Sequence, residues 1–277
     1  MDRFALMAAN RLVGNDFGAA CVEMLVGGSL LLAERDCLIA IAGGDLDARV
    51  NGEEVPAWTS LMLTAGDRLQ FGSRRTGARA YLAVSGGLAG DRWLGSRSTN
   101  LLVGRGGLGG RALQRADELT LAGPPPRAVV GRHLSVAARP AYPVRCFAEL
   151  AAVLGPQSSR LTRASLHRLF KQEYEVDRES NRMGYRLVGE SLEVRGPELV
   201  SFGLASGCVQ VPRSGQPILL MADVQTTGGY PVVAGVVQAD LPAAAQLLPG
   251  DRLTFRECDV DSGQRRWRTL MAGLESL

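Results

Sequence analysis

Residues 249–255 read P-G-D-R-L-T-F, and residues 65–71 read A-G-D-R-L-Q-F. In each, a Gly-Asp pair makes a turn and the residues after it alternate polar and apolar, the period of a half-buried strand. In the longer run 252–258 (R-L-T-F-R-E-C), Leu253 and Phe255 share one face while Arg252, Thr254 and Arg256 share the other. A degenerate copy, R-A-D-E-L-T-L, occupies 115–121. The echo fits two related β units; a Gly-Asp turn before a strand is also common in unrelated proteins.

The rest of the chain has the same texture. Short apolar or alternating runs at 37–42, 79–84, 217–222 and 230–237 are separated by turn signals, and the chain holds 34 glycines. Many short strands with glycine-rich turns predict a mainly β protein with a few short helices, built as barrels or a sandwich rather than a parallel α/β sheet. One helix is expected over about 163–172, capped by Thr162, with Leu166, Leu169 and Phe170 at helical spacing. A weaker helix is expected over Phe147–Val153. The run Pro124–Pro126 is the best linker, which predicts domains at 1–123 and 127–277.

Composition excludes several classes. There are 31 basic and 28 acidic residues, a net charge of +3, and the arginines are scattered, so no nucleic-acid partner is expected. Lysine occurs once, at Lys171. Five cysteines without a C-x-x-C pair predict reduced thiols in a cytoplasmic protein. No apolar run reaches the roughly 18 residues of a membrane span, and no leader pattern opens the chain.

Familiar chemistry motifs are mostly missing. Residues 104–109 match G-x-G-x-x-G, but the next residues read as turn and strand rather than helix, so a dinucleotide site is not expected. The alternatives are an anion-binding loop beside Arg111 or a plain structural loop. There is no P-loop, and Lys171 stands in F-K-Q rather than in the Met-Lys-Met setting of biotin attachment. His133 and His167 are far apart, which predicts no metal site. Cys208 begins an apolar strand and reads as a buried thiol before it reads as a nucleophile.

Three polar segments remain. Residues 180–185 (S-N-R-M-G-Y) place Ser180, Arg182 and Tyr185 around a glycine turn. Residues 207–212 (G-C-V-Q-V-P) set Gln210 among apolar strand residues. Residues 222–231 (A-D-V-Q-T-T-G-G-Y-P) gather Asp223, Gln225, Thr226, Thr227, Gly228, Gly229 and Tyr230. Polar groups beside buried strands must be hydrogen-bonded, either to one another or to a ligand amide.

With these segments the chain resembles the allophanate hydrolase subunit 2, or biotin-dependent carboxyltransferase-like, family. That family includes the C subunit of 5-oxoprolinase (PxpC), KipA and part of the carboxyltransferase region of urea carboxylase. Further matching stretches are 9–15 (A-N-R-L-V-G-N), 79–87 (R-A-Y-L-A-V-S-G-G), 94–99 (L-G-S-R-S-T), 106–111 (G-G-L-G-G-R) and 154–157 (L-G-P-Q), so nearly the whole chain is covered. The resemblance implies two cyclophilin-like β-barrel halves, and a KipI/PxpB-like and a PxpA-like partner subunit. It implies ATP-dependent cleavage of 5-oxoproline to glutamate by the complex. Biotin-dependent carboxyl transfer to urea or a related amide, and non-catalytic KipA-like antagonism of a KipI-like protein, are the alternatives.

On this basis Asp223, Arg182, Tyr185, Thr226 and Thr227 are the candidate catalytic residues. Gln210, Gln225, Gly228, Gly229, Tyr230, Ser180, Arg97 and Arg111 are the candidate substrate-binding set. ATP is expected to serve the complex without a P-loop here, and biotin is not expected on this chain. The sequence departs from the family's usual pattern at Asn181 (commonly Asp), Val232 (commonly Lys) and Ser158 (often Asp).

Overall fold

A computed structural model describes residues 1–277. Its elements in chain order are α1 (Arg3–Leu12), β1 (Val22–Leu25), β2 (Leu30–Leu32), β3 (Cys37–Asp45), β4 (Ala48–Val50), β5 (Glu53–Glu54), β6 (Thr59–Leu63), β7 (Arg68–Phe71) and β8 (Thr76–Val84). They continue with β9 (Phe147–Leu154), α2 (Arg163–Leu169), β10 (Glu173–Val176), β11 (Gly184–Val188), β12 (Phe202–Gly203), β13 (Cys208–Gln210), β14 (Ile218–Leu220), β15 (Thr227–Gly228), β16 (Val232–Val236), α3 (Leu241–Ala245), β17 (Arg252–Glu257) and α4 (Val260–Glu275). No helix is long and apolar enough to cross a membrane.

The chain divides into two compact units. One comprises Arg3–Arg75, Arg79–Ala137 and Leu274–Leu277; the other comprises Met1–Asp2, Thr76–Ala78 and Ala138–Gly273. The run Pro124–Pro126 lies inside the first.

In the first unit, two four-stranded sheets, ordered β1-β8-β3-β6 and β2-β7-β4-β5, enclose one core. Ile39 and Ile41 from one sheet meet Leu69 and Phe71 from the other. Alternation along β7 (exposed, buried, exposed, buried) shows why period 2 is legible there. The run 3–12, which reads as mixed, is an amphipathic helix: Phe4, Ala5, Ala8, Ala9 and Leu12 are buried, and Phe4 meets Trp58 at a ring separation of 6.3 Å.

The second unit holds a closed seven-stranded barrel, β10-β11-β14-β13-β16-β9-β17. Residues 147–153 therefore form strand β9, in place of the helix expected from the sequence. Their apolar run is buried because β9 is paired on both sides, antiparallel to β16 and parallel to β17, and that parallel seam closes the barrel. Leu150, Tyr174, Leu187, Val209, Leu219, Val233, Leu253 and Phe255 fill the interior. Tyr174 packs on Phe255 at 5.7 Å, and burial pushes its phenol up to about 12. The expected helix over 163–172 is α2, capped by Thr162, whose hydroxyl accepts from the Ser165 amide at 3.1 Å. Thr162→Ala is expected to cost about 1 kcal/mol, read as a lower urea midpoint with an unchanged slope.

The three echoed turns share one local structure. Asp67, Asp117 and Asp251 each accept from the amide three residues earlier, Thr64 (2.7 Å), Gln114 (2.7 Å) and Leu248 (2.9 Å). The residue before each Asp has positive φ: Gly66 (95°), Ala116 (68°) and Gly250 (86°). Strands β7 and β17 begin just after the two turns in which glycine makes that φ easy; after Ala116 a turn forms but no strand does.

Candidate functional site

The pairing of β11 with β14 runs Gly184 opposite Leu220, and it continues beyond the strands. The Met221 amide donates to the Met183 carbonyl (3.0 Å) and the Asp223 amide to the Arg182 carbonyl (2.8 Å). This register sets Arg182 and Asp223 side by side, 41 positions apart in the chain. Arg182 Nε donates to Asp223 Oδ2 at 2.9 Å and Nη2 to Oδ1 at 3.3 Å, a fork. The side chains are 33% and 36% exposed, so the pair is reachable from solvent.

Local capping shapes this end. Asn181 Oδ1 accepts from the Met183 amide (2.8 Å) and Ser180 Oγ from the Arg186 amide (3.0 Å). Asn181 makes the turn's bond through its amide oxygen and adds no charge. Ser180 is thereby occupied with its own turn. Tyr185 is a correction to the catalytic set: it is 2% exposed, points into the barrel core, and its hydroxyl donates to the Leu247 carbonyl at 3.2 Å. Alternation along β11 sends Tyr185 and Leu187 inward, which spacing alone does not reveal.

Gln210, 1% exposed, lies between the core residues Val209 and Val211 and so faces outward from the barrel. It is covered by the ribbon in which β12 pairs with β15. Its Nε2 donates to the Tyr230 carbonyl at 3.0 Å. Within the ribbon, Leu204 N donates to Thr226 O at 3.0 Å. A Cβ on Gly228 would stand 2.8 Å from Leu204 Cδ1 and 3.4 Å from the carboxamide nitrogens of both Gln210 and Gln225, so glycine lets the two carboxamides converge. A Cβ on Gly229 would come within 3.1 Å of the Leu199 carbonyl. Thr226 and Thr227 are exposed, as is Tyr230 at 52%.

The G-P-Q segment, matched in the sequence but not named as a site, pins the start of β16 just after the ribbon. Gln157 Oε1 accepts from the Val232 amide (3.0 Å), its own amide donates to Val232 O (3.1 Å), and a Cβ on Gly155 would run into that carbonyl. Val232, named above as a departure from the family pattern, is buried at the start of β16.

The predicted residues thus form two adjoining groups on the barrel unit. The Arg182–Asp223 fork sits at the Leu220 end of β14, and Gln210 with the ribbon segment Gln225–Tyr230 flanks its Ile218 end. Arg97 and Arg111 belong to a loop of the other unit. Arg111 is engaged by Asp117 through bonds of 2.7 and 2.8 Å, and this pairing holds the Asp117 carboxyl down to about 2. Arg97 Nε is buried without a hydrogen-bond partner. The Gly104–Gly109 loop leads into turn, not helix, and its neighbouring guanidinium is taken, so the loop does not fit a nucleotide phosphate.

Comparison with known proteins gives this geometry a family. The chain is 37% identical over 262 residues to the C subunit of 5-oxoprolinase from Escherichia coli, covering 94% of this chain and 82% of that one. It is 35% identical over 266 residues to the protein of the same name from Haemophilus influenzae, covering 96% and 84%. The crystal structure of K. lactis urea amidolyase superposes with a TM-score of 0.92 at 24% identity, over all of this chain and 18% of that one. Residues 1–257 match the carboxyltransferase domain, subdomains A and B, and the chain belongs to that family.

Proposed function

We propose that the chain is one subunit of a cytoplasmic, ATP-dependent 5-oxoprolinase complex that opens 5-oxo-L-proline to L-glutamate, acting with KipI/PxpB-like and PxpA-like subunits. The observation that carries this reading is coverage. The chain spans more than four-fifths of two proteins named as the C subunit of 5-oxoprolinase, but only 18% of urea amidolyase, where the matching region is one part of a larger enzyme.

The chemistry asked of this chain suits the fork. A lactam is an amide and is held by resonance, so ring opening needs an activated carbonyl, an oxyanion donor and a proton acceptor. ATP supplies the activation; the Gly104–Gly109 loop does not fit its phosphates, and the proposal places ATP on the partner subunits. In the proposal the substrate carboxylate exchanges with Asp223 for the Arg182 guanidinium, a bidentate match. That exchange frees the Asp223 carboxylate to take a proton. Thr226, Thr227 and the Gly229 amide line the approach as hydrogen-bond donors, Gly228 being paired with Phe202 in the ribbon, and Gln225 reads the ring amide. Gln210 holds the ribbon through Tyr230 rather than meeting substrate.

Co-expression with the KipI/PxpB-like and PxpA-like subunits, followed by an assay for glutamate from 5-oxoproline, tests the reading. Turnover that requires ATP and all three chains is the expected result. Carboxylation of urea by a biotin carrier in the same preparation, without glutamate formation, would overturn it.

A further inference from the structure

Helix α2 and the turn that closes it carry no acidic residue: residues 163–172 read R-A-S-L-H-R-L-F-K-Q. Arg163, His167 and Lys171 recur at four-residue spacing, which stacks them on one exposed face. With Ala164, Arg168 and Gln172, and with Glu190 opposite, they line an open cleft of about 810 Å³. The far wall is fixed. Arg168 pairs with Glu190 at 2.9 Å and donates to the Ser191 carbonyl at 3.0 Å, while Gln172 bonds both the amide (2.8 Å) and the carbonyl (3.0 Å) of Glu190.

Helix stability does not account for this stripe. A cation near the helix C-terminus complements the dipole, as His167 and Arg168 do, but Arg163 stands in the first turn, where a cation opposes it. Arg186, Arg252 and Arg256, also exposed on this unit, are matched by acids: Glu179, Glu173 and Glu149. Arg163, His167 and Lys171 have no such ion pair.

We propose that this face docks an extended acidic segment of a partner polypeptide. Four residues of helix advance about 6 Å, close to the roughly 6.6–6.8 Å between alternate side chains of an extended chain. Carboxylates at alternate positions would therefore meet Arg163 and His167, and Lys171 extends the row in the turn that closes the helix. A small anion could touch one or two of these groups but not the row, and the open cleft gives it no enclosure. The inference is independent of the 5-oxoprolinase reading, since it concerns binding alone.

The test uses the full chain and a fluorescent peptide of alternating glutamate and serine, followed by anisotropy. Saturable binding that weakens steeply as salt rises to ~150 mM is expected. The double variant Arg163→Ala/Lys171→Ala should weaken it about 10-fold or more, with the circular dichroism spectrum unchanged because both side chains are exposed. A control that removes equal charge elsewhere, Arg35→Ala/Arg213→Ala, should bind as the unaltered protein does. Equal losses in both double variants would overturn the proposal, as would no binding at low salt. Tighter binding of tripolyphosphate, or of a single-stranded oligonucleotide of equal charge, would overturn it too.

Discussion

Asp223→Ala is expected to lower glutamate formation by the reconstituted complex by about 10²–10⁴-fold, the range for removing a positioned general base. The carboxylate is the only acid in the polar cluster 222–231, and register alone holds it against Arg182. Asp223→Asn separates shape from charge: it keeps an oxygen for Arg182 Nε but cannot take a proton, so kcat should fall nearly as far while KM changes little. Arg182→Ala should act in the opposite sense on the two constants, raising KM for 5-oxoproline more than it lowers kcat, because its proposed partner is the substrate carboxylate. Because both side chains are about one-third exposed, neither change should move the thermal midpoint much. Full activity of Asp223→Asn would remove Asp223 from the chemistry and leave it as the fork's structural half.

Asp240→Ala is the substitution expected to cost most in stability, about 2–4 kcal/mol. Asp240 is buried and serves two groups at once. It accepts from the Ala151 amide on β9 at 2.7 Å, and it forks with Arg266 of α4, Nη1 lying 2.9 Å from Oδ2. Truncation orphans a buried N–H and breaks the fork to Arg266, and both losses fall where α4 packs Trp267 and Leu270 onto Ala151 and Val237. Urea unfolding gives the magnitude, and limited proteolysis gives the place: α4 should be cut first. Arg266→Met should cost less, since Asp240 keeps its bond to Ala151. A midpoint for Asp240→Ala within experimental scatter of the unaltered protein would show that apolar packing alone holds α4.

Strands are legible in this sequence where one face of each is wet. Leu253 and Phe255 alternate with Arg252 and Arg256 in β17, and Leu69 and Phe71 with Arg68 and Gln70 in β7. Strand β9 reads as helix for the converse reason. Ala148, Leu150, Ala151 and Ala152 are all buried, so F-A-E-L-A-A-V-L shows no alternation strong enough to exclude a helix. Helix α4 is hidden because its many polar and charged residues obscure the narrow stripe of Trp267 and Leu270 that meets the core.

What the amino-acid order determined by itself was local: turns, the cap at Thr162, strand faces, the family's motifs and the identity of the polar residues. What only tertiary structure decided was who meets whom. The Arg182–Asp223 fork depends on β11 and β14 pairing in one register, and the closure of the barrel depends on β17 joining β9 in parallel. Tyr185 went to the core for the same reason. Side-chain direction along a strand and pairing across a long loop are set by the burial of the whole sheet, and no short window of sequence contains that information.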